Sequence, residues 1–203
     1  MMAAMKALFN THKFLLLCSF MFVTSCGIQS IPKNKNQVEA ALAEITNQYK
    51  RRADLIPNLV KTVKGYASHE AATLQAVVEA RAKATSTTID ASKLDAAQIK
   101  AFSQSQGSLT QALGKLMVVA ERYPNLKADQ NFRDLQAQLE GTENRITIAR
   151  NRYIESIKIF NDSVTVPPSS WTNSILYSYE KMPQWDVGET EKVNIDQAPE
   201  VDL

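Results

Sequence analysis

The amino-acid sequence predicts an all-α protein, an elongated antiparallel helical bundle of three to four long helices. Apolar residues recur every three or four positions over most of the chain, which places them on one face of a helix. Only 6 glycines and 7 prolines occur in 203 residues, which favours long regular elements over many turns. The apolar fraction of 44% is ordinary for a globular protein and is sufficient to build a core.

Residues 1–25 have the features of a secretory signal peptide. A start that carries Lys6 and Lys13 and no acid is followed by the apolar run 14–23 and by two small polar residues. The run is about ten residues long, whereas a membrane-spanning helix needs about twenty, so a cleaved signal is favoured over a retained transmembrane helix. Cys18 lies in the run and is expected to be removed with it.

Cys26 directly follows this segment, and the order Val23-Thr24-Ser25-Cys26 resembles the lipobox of bacterial lipoproteins. The resemblance implies cleavage before Cys26 and attachment of acyl chains such as palmitate to that residue. Several acyl chains hold a protein stably on a membrane, where a single chain is marginal. In the lipoproteins that this sequence resembles, an acid just after the cysteine favours retention in the inner membrane. Gly27 and Ile28 are not acidic, so the resemblance implies the outer membrane. We therefore expect an envelope lipoprotein that faces the periplasm of a Gram-negative bacterium.

The charge of the mature chain argues against a nucleic-acid partner. The chain has 23 basic and 21 acidic residues, and the predicted signal removes two lysines and no acid. The mature protein therefore has a formal charge of zero, whereas nucleic-acid-binding proteins usually carry a strong basic excess that contacts phosphates.

The first helical stripe is expected after a polar tether at residues 26–36, within a bundle that covers residues 37–180. The stripe continues in phase across Pro57, where we predict a kink or short break rather than a helix end. Gly65 and Ser68 mark a second weak point. The apolar residues of this stripe are Val38, Leu42, Ile45, Tyr49, Ile56, Leu59, Val63, Tyr66, Leu74 and Val77.

Two further stripes follow a loop rich in threonine and serine at residues 85–92. The second stripe covers residues 99–123, with Gln106 in its seam, and Pro124 is expected to end it. The third stripe covers residues 132–164 at heptad-like intervals, which is the geometry of left-handed bundle packing. Short connections between such helices predict antiparallel neighbours.

The C-terminal region is expected to contain a short helix at residues 169–179 and an acidic, extended tail at residues 181–203. The Tyr123-Pro124-Asn125 turn has a structural explanation, in which Asn125 caps the following helix. The residues expected to anchor the short helix against the bundle are Trp171, Ile175, Leu176 and Tyr179.

Three sequence blocks lie in one order over about residues 38–165. They read RRADLIPNLV at residues 51–60, VAERYPNLKA at residues 119–128 and LEGTENRI at residues 139–146. In sequence and spacing these blocks resemble the LemA family of membrane-anchored bacterial proteins.

The LemA resemblance implies an antiparallel helical bundle on a single N-terminal membrane anchor, without a known catalytic activity. It also implies an association with membrane proteases or envelope stress. The chain departs from the family at both ends. A lipobox stands where the family usually keeps a transmembrane helix, and Val166-Pro167 and Tyr177-Ser178-Tyr179 stand where the family tends to have Phe-Pro and Phe-Gly-Phe.

The sequence predicts no catalytic residue set, no cofactor and no metal ion. His69 is the single histidine of the mature chain, and His69-Glu70 lacks the second histidine of a zinc-protease motif. One histidine can still act as a general base, so an enzyme that uses His69 and Glu70 is the third and least favoured hypothesis.

The Arg51-Arg52 pair is the candidate site. Arg52 falls in the apolar seam, and a buried arginine needs a carboxylate partner because an unpaired charge is costly in the interior. Asp54 is a local candidate, and Glu140 and Glu143 are candidates on the third helix. The favoured interpretation is an interhelical ion pair that fixes register, and the alternative is a site for an anionic ligand.

The predicted function is that of a non-enzymatic envelope lipoprotein of the LemA type, which scaffolds or binds other envelope proteins. The alternative is a binding module for a small anionic ligand at Arg51 and Arg52. The membrane is the expected partner through Cys26, and an envelope protein is the expected second partner. Periodic helices can also self-associate, so an oligomer is compatible with the sequence.

Overall fold

The structure, a computed structural model, describes residues 2–90 and 94–185, with side chains from Ile28 onward. These residues form helices and connecting segments and no strand, which confirms the predicted all-α class. The elements are α1 (Met2–Tyr66), α2 (Ala71–Ser86), α3 (Ala96–Ala120), α4 (Pro124–Ala128), α5 (Gln130–Thr165), α6 (Ser169–Thr172) and a π-helical turn (Asn173–Tyr177).

The chain divides into two compact units. Of the described residues, the main unit comprises those within 41–154 and 183–185, and the end unit comprises those within 2–40 and 155–182. Both α1 and α5 contribute residues to each unit.

The main unit contains an antiparallel bundle made of α2, α3 and parts of α1 and α5. Neighbours α1 and α5 run in opposite directions, as do α2 and α3, whereas α1 and α3 run the same way. The contacts Glu44–Arg152 and Tyr66–Asp129 define the pair α1 and α5. The contacts Glu70–Tyr123 and Ala84–Gln106 define the pair α2 and α3.

The core of the main unit is formed by the apolar faces that the three-and-four spacing predicts. Leu59 and Val63 of α1 meet Val77 of α2 and Leu109 and Leu116 of α3, and none of these side chains is exposed to solvent. Burial of this kind is the main favourable term in folding, at about 25 cal/mol per Å² of apolar surface. The buried members of the α5 stripe in this unit are Phe132, Leu139, Thr142, Ile146, Ala149 and Tyr153, and those in the end unit are Ile157, Phe160 and Val164.

In the end unit, two asparagines hold the segment that follows the π-helical turn. The Asn161 side chain donates to the carbonyl of Met182 at 2.9 Å and accepts from its N–H at 2.8 Å. The Asn173 side chain pairs in the same way with the carbonyl and N–H of Tyr179, both at 3.0 Å. Each side-chain amide thus pairs with a backbone N–H and carbonyl in the way that an adjacent β-strand would. The pairing satisfies these backbone groups, which would be costly to bury without a partner.

The structure corrects the predicted start of the bundle. Residues 30–36, expected to be a polar tether outside the bundle, are helical and lie inside α1, and Ile31 is fully buried. The prediction missed this because a single apolar residue in a polar segment has no visible period. The helix also continues through Pro57 without a break and ends instead at Tyr66, just after Gly65.

The C-terminal anchors are also corrected. Trp171, Ile175 and Leu176 are exposed, and the buried residues of this segment are Thr172 and Asn173. The fourth predicted anchor, Tyr179, is part-buried and packs against Phe160 of α5, with 6.1 Å between the ring centres. Of the predicted anchors, the π-helical turn therefore directs Ile175 and Leu176 outward and polar residues inward.

The next helix cap and the tail differ from expectation as well. Asp129 caps α5 by accepting from the N–H of Phe132 at 2.9 Å, whereas Asn125 lies inside the short helix α4. Trp185 is buried, although it belongs to the predicted extended tail. Residues 186–203, the rest of that tail, lie outside the described residues.

Candidate functional site

Arg52 lies in the interior of the main unit, where α1 faces α3 and α5. Only 2% of its surface is exposed. Its position follows from the helical spacing, because residues 45, 49, 52, 56 and 59 share one face of α1 and all are buried. The sequence therefore directs a charged side chain into an otherwise apolar seam.

The Arg52 guanidinium group donates to three side chains and one backbone carbonyl. One terminal nitrogen contacts Glu143 Oε2 and Thr110 Oγ1, both at 3.0 Å. The other contacts Gln106 Oε1 at 2.7 Å and the Gln106 carbonyl at 3.2 Å. The planar fork of arginine suits this arrangement, because its donors diverge to partners on two different helices.

Gln106 extends the network to a fourth helix. Its side-chain nitrogen donates to the carbonyl of Ala84, near the end of α2, at 3.2 Å. The side chain thus accepts from α1 and donates to α2 at the same time. A buried amide that uses both ends fixes the register of three helices, because sliding any one of them would leave a polar group unpaired.

A second arginine contacts the backbone of α1 close by. Arg81 Nε of α2 donates to the carbonyl of Ala53 at 2.8 Å. In a regular helix that carbonyl would accept from the N–H of residue 57, but residue 57 is proline and has no N–H. Arg81 therefore replaces the missing donor, which explains how α1 continues through Pro57.

Aromatic side chains cover one side of the Arg52 network. The guanidinium carbon lies 5.1 Å from the centre of the Tyr49 ring, and Tyr49 packs edge-to-face against Phe102. Burial raises the pKa of the Tyr49 hydroxyl, and the nearby Arg150 partly opposes this rise. Burial raises the pKa of Tyr153, further along α5, to about 12.

Of the predicted site residues, only Arg52 and Glu143 are brought together. Arg51 and Asp54 are exposed on α1, and neither side chain makes a hydrogen bond or ion pair with another described residue. Glu140 is also exposed and accepts from Gln136 instead. Because the helix turns by 100° per residue, Arg51 and Arg52 point in different directions and cannot form one site.

The prediction missed Gln106 and Thr110 as partners of Arg52. Gln106 had a visible signal, since it occupies a seam position in the second apolar stripe. Thr110 had none, because a threonine next to a seam is common on any helix. The assumption that a buried arginine must be matched mainly by acid hid both of them.

His69 and Glu70 do not form a shared site. His69 is exposed in the turn between α1 and α2. The Glu70 carboxylate accepts from Arg122 at 2.9 Å and from the Tyr123 hydroxyl at 3.1 Å. Burial and the bond to Glu70 raise the pKa of Tyr123. Glu70 thus ties the start of α2 to the end of α3.

An open groove of about 630 Å³ lies on the main unit, between α1 and the start of α5. At one side of the groove Tyr66 donates to Asp129 at 2.8 Å. The Phe132 N–H and the Tyr66 hydroxyl lower the pKa of Asp129. The residues that line the groove are Asn58, Lys61, Thr62, Gly65, Tyr66, Asp129, Asn131, Asp134, Leu135 and Gln138.

The described residues contain neither a membrane-spanning stretch nor a cluster of metal-binding side chains. No helix in the part of the chain that the structure describes has a stretch long and apolar enough to cross a membrane. Among the same residues, no group of three or more histidine, cysteine or acidic side chains is placed to hold a metal ion. Cys26 belongs to α1, and its side chain lies outside the described residues.

Comparison with known proteins confirms the resemblance to the LemA family. The model of the LemA family matches residues 41–203. Protein LemA of Metamycoplasma hominis is 22% identical over 179 residues, which cover 87% of this chain and 77% of that protein. The family match includes the Arg52 network and the groove, and the chain therefore belongs to the LemA family.

Proposed function

We propose that this protein is a non-enzymatic lipoprotein of the bacterial envelope, anchored through Cys26, that binds other envelope proteins through the groove on its main unit. Membership of the LemA family supports the association with the envelope. The observation that carries the binding role is the open polar groove, in contrast with the closed Arg52 network.

The chemistry of the groove suits a protein partner. Asn58, Asn131 and Gln138 place exposed amide groups along it, and these side chains make no hydrogen bond to another described residue. Lys61 adds a positive charge, and Asp129 and Asp134 add two negative ones. Amides that can both donate and accept fit the backbone and polar side chains of another protein, and such contacts are common at transient interfaces.

The contacts of Arg52 do not favour the anionic-ligand alternative. Its two terminal nitrogens already donate to Gln106, Thr110 and Glu143, so an anion would have to displace these partners. Such a ligand would also have to enter a site that is almost fully buried. We therefore assign Arg52 a structural role and place the binding surface at the groove.

Site-specific photocrosslinking in intact cells tests the binding role. A photoreactive residue at Asn131 lies in the groove, and one at Gln111, an exposed residue of α3, serves as the matched control. We expect a reproducible crosslinked envelope protein at Asn131 that is absent at Gln111. The same products at both positions, or none at Asn131, would refute binding through the groove.

Intact-protein mass spectrometry of membrane-extracted protein tests the anchor. We expect a chain that starts at Cys26 and carries the added mass of acyl groups, and a Cys26→Ser variant that lacks this mass. A wild-type chain that retains residues 1–25 without lipid would contradict the lipoprotein assignment. Crosslinking through the groove does not depend on this result, so the two parts of the proposal can fail separately.

A further inference from the structure

An exposed apolar surface, here called the apolar turn, is formed by Val166, Trp171, Ile175 and Leu176 of the end unit. Trp171 is 58% exposed and Ile175 is 79% exposed. Scattered apolar residues are normal on the surfaces of soluble proteins, but four exposed ones within residues 166–176, a tryptophan among them, indicate a site of interaction. The position of the apolar turn near Cys26 indicates which partner binds it.

The apolar turn lies next to the predicted point of membrane attachment. The Tyr177 hydroxyl, at the end of the π-helical turn, donates to the carbonyl of Ile28 at 2.6 Å. Ile28 is itself almost half exposed and is only two residues from Cys26 on the same helix. Two residues correspond to about 3 Å along a helix axis, so whatever holds Cys26 at a bilayer holds Tyr177 close to the same surface.

The charge pattern matches a bilayer surface. No charged residue occurs between Asp162 and Glu180, and none occurs between Cys26 and Lys33. Charges are costly near the hydrocarbon, whereas tryptophan and tyrosine are favoured at the level of the headgroups. The two segments that meet at the Tyr177–Ile28 contact therefore contain no charged residue, and the flanking Lys35 places its amine 5.5 Å from the centre of the Tyr179 ring.

Hydrogen bonds hold the apolar turn in a defined shape. The Ser178 N–H donates to the carbonyl of Asn173 at 2.7 Å, and the Asn173 side chain binds the backbone of Tyr179. Thr172 and Asn173 are buried by this arrangement, which leaves Ile175 and Leu176 facing outward. The exposed apolar residues are thus presented by an ordered turn, so binding does not have to order the segment.

We propose that the apolar turn inserts into the lipid surface next to the anchor, with Trp171 at the boundary between headgroups and acyl chains. The inference rests on the membrane attachment at Cys26 that is proposed above. It adds a second, non-covalent contact with the bilayer, which would restrict the motion of a protein otherwise held by acyl chains alone.

Tryptophan fluorescence of the full-length protein in vesicles tests this inference. The protein has two tryptophans, exposed Trp171 and buried Trp185, and the difference between wild type and Trp171→Phe isolates the emission of Trp171. The vesicles contain phosphatidylethanolamine and phosphatidylglycerol, with or without bromine on the acyl chains. We expect brominated vesicles to quench Trp171 and to leave the emission of the Trp171→Phe variant unchanged.

A charge placed in the turn provides a second test. Ile175→Asp is expected to reduce the quenching of Trp171 by bromine and to raise its quenching by acrylamide. Ile148→Asp, at an exposed isoleucine of α5 outside the turn, is the matched control and should change neither. Equal effects of the two substitutions would overturn the inference.

Flotation of the same samples separates this inference from the anchor. In one outcome the protein floats with the vesicles, but Trp171 stays accessible to acrylamide and is not quenched by bromine. This result would refute the insertion of the turn and would leave the lipid anchor unaffected. A short-wavelength emission of Trp171 that bromine does not quench indicates a second copy of the chain or another protein on the turn, and also overturns it. Quenching in protein that lacks lipid at Cys26 supports insertion and refutes only the lipid anchor. Protein that neither floats nor shows quenching refutes both.

Discussion

Arg52 donates to a glutamine, a threonine and a glutamate, and these partners contribute unequally to stability. Gln106 is buried, whereas the side chain of Glu143 is 45% exposed and can be solvated when Arg52 is absent. The cost of losing Arg52 therefore arises mainly at Gln106, whose side-chain oxygen would remain in the interior without a donor. The predicted ion pair of Arg52 with Glu143 is present, but the buried amide of Gln106 depends more strongly on Arg52 than the carboxylate does.

Arg52→Met should lower the free energy of unfolding by about 2–4 kcal/mol, since it leaves buried polar groups unpaired. Glu143→Gln should cost about 1–3 kcal/mol, less than Arg52→Met, because the glutamine oxygen can still accept from Arg52 although the buried guanidinium loses its counter-charge. Urea unfolding of each variant measures both values. Adding Gln106→Leu to Arg52→Met should recover part of the loss, and adding Glu143→Gln should not. If Glu143→Gln recovered stability in the Arg52→Met background and Gln106→Leu did not, the carboxylate of Glu143 would be the essential partner.

Burial of Tyr153 makes a prediction about alkaline stability. Its pKa of about 12 in the folded state lies above the ordinary value of 10.0 in the unfolded chain. The folded protein then holds this proton between those pH values while the unfolded chain has lost it. Stability should therefore decline as the pH rises from about 10 to 12, by at most about 1.4 kcal/mol per pH unit.

Thermal unfolding of wild type and Tyr153→Phe across that range measures the contribution of Tyr153. The wild type should lose stability more steeply than the variant, because phenylalanine has no proton to release. Parallel curves would mean that Tyr153 ionises as readily in the folded protein as in the unfolded one. Tyr49 should add a decline of the same sign in both proteins, since its pKa is also raised.

At the scale of elements, the continuity of α1 depends on a contact from another helix. Pro57 is compatible with the stripe on α1, and the sequence correctly predicted that the helix does not end there. The sequence could not predict that Arg81 supplies the donor that Pro57 lacks, because residues 53 and 81 belong to different helices. A proline in the interior of a helix ordinarily costs about 3 kcal/mol, and part of that cost is the unpaired carbonyl.

A double-mutant cycle on Pro57 and Arg81 tests this compensation. Arg81→Ala should destabilise the wild type by about 1–3 kcal/mol, because the carbonyl of Ala53 loses its donor. The same substitution should cost less in a Pro57→Ala background, where the N–H of residue 57 can serve that carbonyl. Chemical denaturation of the four proteins gives the coupling energy. Equal costs in both backgrounds would show that Arg81 acts only through its own packing.

At the scale of the whole molecule, contacts distant in sequence decide which C-terminal residues are structural. Trp185 packs edge-to-face against Phe102 of α3 at 6.1 Å and against Tyr153 of α5 at 5.8 Å. Nothing in its local sequence distinguishes it from Trp171, which is exposed. The two tryptophans therefore have opposite roles that only their surroundings assign.

Replacing each tryptophan by alanine should separate these roles. Trp185→Ala removes a buried aromatic group and should cost about 3–5 kcal/mol if the C-terminal segment unfolds together with the bundle. Trp171→Ala should change the stability of the protein in solution by no more than about 0.5 kcal/mol. Calorimetric melting temperatures compare the two variants. A large loss in Trp171→Ala would contradict its assignment as a surface residue available to a membrane.

The sequence by itself determined the helical class, the faces of the helices and the burial of Arg52. These properties depend on the period of apolar residues, which is local and repeats within each helix. The tertiary structure alone decided that Gln106 is the buried partner of Arg52, that Arg81 compensates for Pro57, and that Trp185 is buried while Trp171 is exposed. Each of these depends on which atoms from distant parts of the chain come within about 3–6 Å of each other, and a one-dimensional period contains no information about that distance.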